Sequence, residues 1–337
     1  MKSIKVGMIG CGYWGPKLAR NFHEMSDAEL SWVSDLRLDR LKQIREVYPN
    51  VRVTQNYLDV LASDIDAVVI ATPVSSHYPL AIESLKAGKH ILVEKPLAAT
   101  VATAKEIAET ADTLGLVAMV GHTFQYNSAV NKVRDLVKQG DLGRVYYINS
   151  TRVNLGLFQP DINVIWDLAP HDISIMLHIL GTDPLKVRAY GNVYVQRDRK
   201  IHDVAFVSLF FPEEVLVNLH VSWLDPVKIR KITVVGSQKM LVYDDIADDK
   251  VMLFDKGVEM LPTSDSVETY HLSYRNGHEH VVPYEWREPL RVECEAFLNW
   301  IKYGQPSPSN AWVGVRVVQV LEAAQKSLLN GGNVEVI

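Results

Sequence analysis

Two places in this chain of 337 residues carry side chains suited to moving a proton at an alcohol. The first is Glu94-Lys95-Pro96, which follows the apolar run His90-Ile91-Leu92-Val93. A lysine there sits at the carboxyl end of a buried strand, and the proline after it restricts its backbone, so the ammonium is held in place. A solvated turn lysine is the competing reading. The second place is Trp166-Asp167-Leu168-Ala169-Pro170-His171. Read as a helix that starts at Asp167 and ends at Gly181, it has Asp167 as N-cap and Pro170 in the first turn, where the missing N–H costs nothing. Residues four apart share a helix face, so Asp167 and His171 could together bind a hydroxyl and take its proton. An imidazole ordinarily titrates near pH ~6.5, which suits a general base. Plain capping by Asp167 and a core role for His171 compete with this reading.

Such chemistry needs an acceptor, and the start of the chain supplies a place for one. Lys5-Val6-Gly7-Met8-Ile9 reads as a buried strand that empties into Gly10-Cys11-Gly12-Tyr13-Trp14-Gly15-Pro16, a Gly-x-Gly-x-x-Gly turn opening a helix. In such a turn Gly10 takes backbone angles a side chain forbids, Gly12 admits a pyrophosphate, and Gly15 lets helix and strand pack closely. The helix N-terminus offers free N–H groups to the phosphates. A second strand, Leu30 to Ser34, ends at Asp35, placed to accept hydrogen bonds from the adenosine ribose hydroxyls. The acid favours NAD; Arg37 leaves NADP as the less favoured option. A glycine-rich βα turn without a ligand is the bland alternative.

Strand and helix patterns alternate through the first third, which predicts a parallel sheet with helices on both faces. The third of these strands, Ala67 to Ala71, ends in Thr72-Pro73-Val74-Ser75-Ser76-His77, where ligands sit in open α/β sheets. Thr72, Pro73 and His77, with Tyr13, Trp14, Glu94 and Lys95, are therefore expected at the cofactor. Simple capping of the helix Tyr78 to Lys86 by Ser75, Ser76 and His77 is compatible with that. From Arg144 onward, six alternating stretches predict a large, mostly antiparallel sheet, closed by helices at Pro289 to Tyr303 and Ala311 to Asn330. The expected division is a Rossmann domain over 1–123 and a substrate and oligomerisation domain over 124–337.

Tyr126, Arg152, Asn154, Asn163 and Trp166, with Lys95, Asp167 and His171, are candidate substrate contacts. Arg152 would suit a diphosphate, with a cross-strand ion pair as its alternative. His271, His278 and His280 lack a metal-ligand spacing and read as a solvated loop, so no metal is expected.

Hydrophobic residues make up 47%, charged residues 22%, and the net charge is −5, which offers nucleic acid or an anionic membrane no general attraction. No apolar run is long enough to span a membrane, and the chain begins in a strand with no signal peptide before it. A cytoplasmic protein with reduced Cys11 and Cys294 is expected. The apolar outer face of the second sheet calls for another subunit, giving a homodimer or homotetramer.

The glycine turn, Glu94-Lys95-Pro96, and Asp167 with His171 together resemble the Gfo/Idh/MocA family of sugar and cyclitol oxidoreductases. Ala169-Pro170-His171 departs modestly from the family's usual Gly-x-His. His122-Thr123-Phe124-Gln125-Tyr126-Asn127 and Trp166 to Asp172 resemble in particular the members acting on nucleotide sugars, UDP-N-acetylglucosamine and UDP-N-acetylglucosaminuronate 3-dehydrogenases. The resemblance implies that the lysine, the histidine and the acid surround a reacting carbinol. The expected activity is NAD-dependent oxidation of a secondary hydroxyl, at C3 of a sugar or nucleotide sugar. A free-sugar or cyclitol dehydrogenase, an NAD-dependent glycosidase using transient C3 oxidation, and a cofactor-binding module without turnover are the alternatives.

Overall fold

The computed structural model describes residues 3–262 and 270–337, which fall into two compact units. The first holds the residues up to Tyr126 together with Arg287–Gln319. Its six strands are β1 (Ile4–Ile9), β2 (Ala28–Ser34), β3 (Arg52–Thr54), β4 (Ala67–Ile70), β5 (His90–Glu94) and β6 (Ala118–Gly121). All pair in parallel, in the order β3-β2-β1-β4-β5-β6. The order reverses between β1 and β4, and a crevice opens at the carboxyl ends of strands at such a reversal. Every residue of β4 is buried, as expected of a strand covered on both faces. The helices that follow the first five strands are α1 (Gly15–Glu24), α2 (Leu38–Val47), α3 (Tyr57–Leu61), α4 (His77–Lys86) and α5 (Val101–Leu114).

The second unit holds Asn127–Trp286 and Val320–Ile337. It starts with α6 (Ser128–Lys138), β7 (Val145–Val153) and α7 (Val164–Leu180), then β8 (Lys186–Asn192), β9 (Val204–Phe210), β10 (Leu216–Ser222), β11 (Ile229–Gly236), β12 (Met240–Asp244), β13 (Val251–Pro262) and β14 (Tyr270–Val281). The chain ends with α8 (Pro289–Tyr303), α9 (Ala311–Leu329) and β15 (Glu335–Val336). Nine strands form one sheet in the order β14-β13-β12-β11-β7-β10-β9-β8-β15, in which only β7 and β10 pair in parallel. Helix α7 packs on β7, β9 and β10. On the alternate positions Tyr147, Tyr190 and Phe206 are exposed, with Tyr190, Phe206 and His220 stacked in a row at 5.4 and 4.4 Å.

The division differs from the one expected at residue 123. Helix α8 buries Leu290, Cys294, Phe297 and Leu298 in the core of the first unit, with Phe297 edge-on to Phe22 of α1 at 6.4 Å. The segment after it bonds to β6 through the Val120 N–H and the Ser309 carbonyl at 2.9 Å. A Cβ on Gly314 of α9 would come within 2.6 Å of Val120, so the start of that helix also lies tight against this sheet. These contacts join residues 189 to 275 positions apart in sequence, beyond what local patterns report.

Two other expectations change. His278 and His280 lie exposed on β14, His280 paired with Leu253 of β13 and His278 at the irregularity beside it, where a loop was expected; the side chain of His271 lies outside the described residues. Among the described residues no three His, Cys, Asp or Glu side chains gather as a metal site, and no helix is long and apolar enough to cross a membrane. Arg152 of β7 is buried. Its Nε donates to Asp172 Oδ2 at 2.7 Å and its Nη2 to Oδ1 at 3.2 Å, while Ser150 Oγ donates to Oδ1 at 2.9 Å. The guanidinium ties strand to helix inside the second unit instead of facing a diphosphate.

Removing one partner of such a pair strands a charge in the core, at a typical cost of about 3–5 kcal/mol. Arg152→Met is expected to lose that much in urea unfolding, and Arg152→Met with Asp172→Leu to recover most of it. Equal stability of the single variant and the native chain would show that the pair does not hold β7 to α7.

Candidate functional site

The turn after β1 has the shape a dinucleotide requires. Gly10 has φ 99°, and a Cβ on it would lie 2.5 Å from the Ala71 carbonyl oxygen. A Cβ on Gly15 would lie 2.5 Å from the Gly10 carbonyl oxygen, whereas at Gly12 nothing stands within 4 Å. Gly10 and Gly15 are thus closed to side chains by the main chain, and Gly12 is open on the side from which a phosphate can approach. A cleft of about 570 Å³ continues from this turn past Asp35, Arg37, Tyr57 and Thr72. Asp35 accepts the N–H of Cys11 at 2.6 Å and of Arg37 at 2.8 Å, which aims its carboxylate along the end of β2. Arg37 Nε lies 3.7 Å from it with the side chain half exposed. Tyr13 and Trp14 stand edge-to-face beside the turn, with the Lys17 ammonium over both rings at 3.9 and 4.4 Å. Burial, then Asp35, pushes the Cys11 thiol up to about 12, so it stays protonated beneath the turn.

Thr72 is half-buried and Pro73 exposed at the end of β4. His77, expected at the cofactor, is instead buried with Nδ1 at 2.8 Å from the Pro96 carbonyl and Nε2 at 2.8 Å from the Thr72 carbonyl. It braces the turn after β4 against the turn after β5. Burial lowers its pKa against the pull of the two carbonyls, and the Lys95 charge adds to the lowering.

Lys95 is half-buried at the end of β5. Beneath it lies a set of buried titratable groups. Glu94, also expected at the cofactor, points inward: its Oε2 accepts the Lys95 N–H at 3.2 Å and would lie 3.1 Å from a Cβ on Gly121. Burial pushes its carboxyl up to about 7, with Lys95 opposing. Glu293 of α8 is raised well above the usual range by burial and by Glu94. His122 is held down to about 3 by burial and by Lys95, so the ring is neutral. Glu293 escaped the sequence reading, which named His122 only within the stretch His122 to Asn127; a glutamate between Leu290 and Phe297 on the buried face of α8 was the available signal. Tyr126 is a core residue and not a substrate contact: its hydroxyl bonds to Ser307 and, at 2.7 Å, to Ser309.

In the second unit, α7 begins one turn earlier than expected. Asn163 Oδ1 accepts the N–H groups of Ile165 and Trp166 at 3.0 and 3.3 Å, so Asn163 is the cap and Pro170 lies inside the helix. The Asn163 Nδ2 donates to Gln325 at 2.6 Å, which commits that amide to structure. Asp167 is therefore released from capping. Its Oδ2 accepts the indole N–H of Trp223 at 2.9 Å, and His171, half-buried, follows one turn later. Trp166 and Asn154 are half-buried, Asn154 just past the end of β7.

A parallel sheet with a glycine turn and an acid at its switch point, joined to a unit bearing an acid and an imidazole on one helix, defines a nicotinamide-dependent oxidoreductase. The comparisons agree. The oxidoreductase family with an NAD-binding Rossmann fold matches residues 4–122, and the GFO/IDH/MocA C-terminal domain matches residues 130–242. The chain belongs to the Gfo/Idh/MocA family. It is 25% identical to the myo-inositol 2-dehydrogenase of Thermotoga maritima over 96% of each chain. It is 31% identical to the UDP-N-acetylglucosamine 3-dehydrogenase of Acidithiobacillus ferrooxidans over 57% of this chain and 59% of that one. A solved structure of the latter superposes with TM-score 0.81 at 24% identity over 97% and 98% of the two chains. GenD2 from gentamicin A biosynthesis, in complex with NAD, gives 0.84 at 21% over 100% and 97%.

The buried acid below Lys95 yields a pH test. Between pH 4.5 and about 7 the folded state keeps a proton on Glu94 that the unfolded state has released, so this group lowers stability as pH rises through that window. Glu94→Gln removes the dependence. In urea unfolding the variant is expected to gain about 3 kcal/mol on the native chain between the two ends of the window. Parallel pH–stability curves would show that Glu94 ionises as freely folded as unfolded.

Proposed function

We propose that this NAD-binding oxidoreductase oxidises a secondary hydroxyl of a sugar or nucleotide sugar, with C3 of UDP-N-acetylglucosamine as the first choice. The observation that carries the reading is the acid and imidazole one turn apart on α7, with the acid relieved of capping by Asn163. The local similarity to a UDP-N-acetylglucosamine 3-dehydrogenase supports the substrate. Bound NAD supplies the acceptor for the hydrogen and electron pair leaving the carbinol carbon. Gly12 admits its pyrophosphate, Asp35 accepts from its ribose hydroxyls, and Tyr13, Trp14, Thr72 and Pro73 flank it. In the roles that the family resemblance implies, His171 takes the hydroxyl proton and Lys95 offsets the negative charge that develops as it leaves. Asp167 orients the substrate. The roles of His171 and Lys95 are exchangeable, since either side chain in its neutral form can take the proton.

A free sugar or cyclitol is the second reading. It is favoured by the end-to-end match to a myo-inositol 2-dehydrogenase, and by Arg152, which is committed to Asp172 and leaves a diphosphate without that partner. In either case a second copy of the chain covers the exposed Tyr147, Tyr190 and Phe206 face, as a homodimer or homotetramer. The cytoplasm is the proposed compartment, with both cysteines free and buried.

Lys95→Ala is expected to bind NAD nearly as the native chain does and to turn over about a hundredfold more slowly or worse. Native turnover in that variant removes Lys95 from the reaction. Offering UDP-sugars, free sugars and inositols while following reduced-nicotinamide absorbance, with and without 2-oxoglutarate as reoxidant, separates the two substrate readings. The first expects a signal with UDP-N-acetylglucosamine. Response to inositols alone overturns that choice in favour of the second.

A further inference from the structure

Trp223 follows β10 and is 1% exposed, and it is fixed from several sides. Its N–H donates to the carbonyl of Asp203 at 2.9 Å, and its own carbonyl accepts the N–H of Gly156 at 3.0 Å. Asp203 is itself buried, its carboxylate accepting the N–H groups of Tyr194 and Val195. Phe158 packs on the indole with ring centres 5.5 Å apart, and a Cβ on Gly156 would approach Trp223 Cδ1 to 2.9 Å. An indole so enclosed has its N–H direction set by the fold, and that direction leads to Asp167 Oδ2 at 2.9 Å. A donor in a dry site loses heavily if it goes unpaired, so the acid is held where the indole points.

We propose that Trp223 is the positioning residue for Asp167, fixing the rotamer of the acid that stands one turn before His171. The proposal rests on the reading of Asp167 as part of the reacting site. It assigns to the loop 154–158 and to Trp223 a part in turnover that neither NAD binding nor core packing requires. A hydrogen bond to a charged acceptor is strong enough for its loss to change a rate about tenfold.

The test is a double-mutant cycle on the full chain with Trp223→Phe and Asp167→Asn, assayed with NAD and, in turn, UDP-N-acetylglucosamine and myo-inositol. Trp223→Phe is expected to lower kcat about tenfold with the Kd for NAD unchanged, and to lower it less than twofold further once Asp167→Asn is present. In an indole N–H NMR spectrum, the resonance lost in Trp223→Phe is expected to move in Asp167→Asn. Replacing Trp223 by benzothienylalanine, which keeps the ring shape and removes the N–H, covers the case in which Trp223→Phe folds poorly; the same loss of kcat is expected. Equal losses from Trp223→Phe on both backgrounds, or native kcat with benzothienylalanine beside an impaired Asp167→Asn, overturn the proposal. Native kcat in Asp167→Asn fails the reading of Asp167 itself, and the proposal with it.

Discussion

Three strand ends and one helix start converge at the first glycine turn more closely than side chains permit, and the dinucleotide crevice depends on that convergence. The Gly10 N–H bonds to the Ser34 carbonyl at 2.7 Å, the Ala71 N–H to the Ile9 carbonyl at 2.8 Å, and the Cys11 N–H to the Asp35 carboxylate at 2.6 Å. Main chain from β1, β2 and β4 is thereby stitched together where the strand order reverses. A methyl group on Gly10 or Gly15 would drive carbonyls apart by about an ångström in a close-packed interior that has no slack to absorb it. The open space at Gly12 exists because its two partners have none.

The second constraint is charge in dry surroundings, and the two units meet it differently. In the first, desolvation prevails: Glu94 is driven toward its protonated form against the pull of Lys95, Glu293 likewise with Glu94 adding to the push, and His122 toward its neutral form with Lys95 adding to the burial. The lysine then stands over a floor that carries little opposing charge. In the second unit Coulomb attraction prevails. Burial works to lower the Arg152 pKa, yet the charge of Asp172 and its two-point hydrogen bond, with Tyr243 and Asp245 adding, carry it above its ordinary value. Geometry decides between the outcomes, because two-point hydrogen bonding satisfies a planar guanidinium as a single carboxyl without a fork cannot be satisfied.

The parts of this architecture that local sequence encodes were readable. Glycine spacing, the Asp35 position, the αβ alternation and the helix Pro289 to Tyr303 follow from short-range rules, and the structure has the same parallel sheet and mostly antiparallel second sheet. Long-range packing was not readable: nothing within α8 states that Phe297 meets Phe22. Polar residues beside a motif were misread for a related reason. His77, Glu94, Tyr126 and Asn163 have the side chains of ligand contacts, and the fold uses them as braces, buried acid and cap. A donor satisfied by the protein's own carbonyl and one meant for a ligand look alike in one dimension. The hairpin β13–β14 was missed because the later half of its second strand, Asn276 to His280, carries no apolar side chain, and period-two hydrophobicity is the signal that a strand reading needs.

The one-turn shift in the start of α7 bears directly on chemistry. Had Asp167 been the cap, its carboxylate would have been consumed by the free N–H groups of the first turn. With Asn163 taking those groups, Asp167 lies in the first turn itself, where the helix dipole favours negative charge. The indole of Trp223 then fixes the direction of its side chain. A neutral cap, an acid released by it and a buried donor that aims the acid form one chain of dependence, each link requiring the one before. Four residues of helix thus decide whether the carboxylate serves the backbone or meets the indole of Trp223, and the capping of the first turn by Asn163 is what sets it.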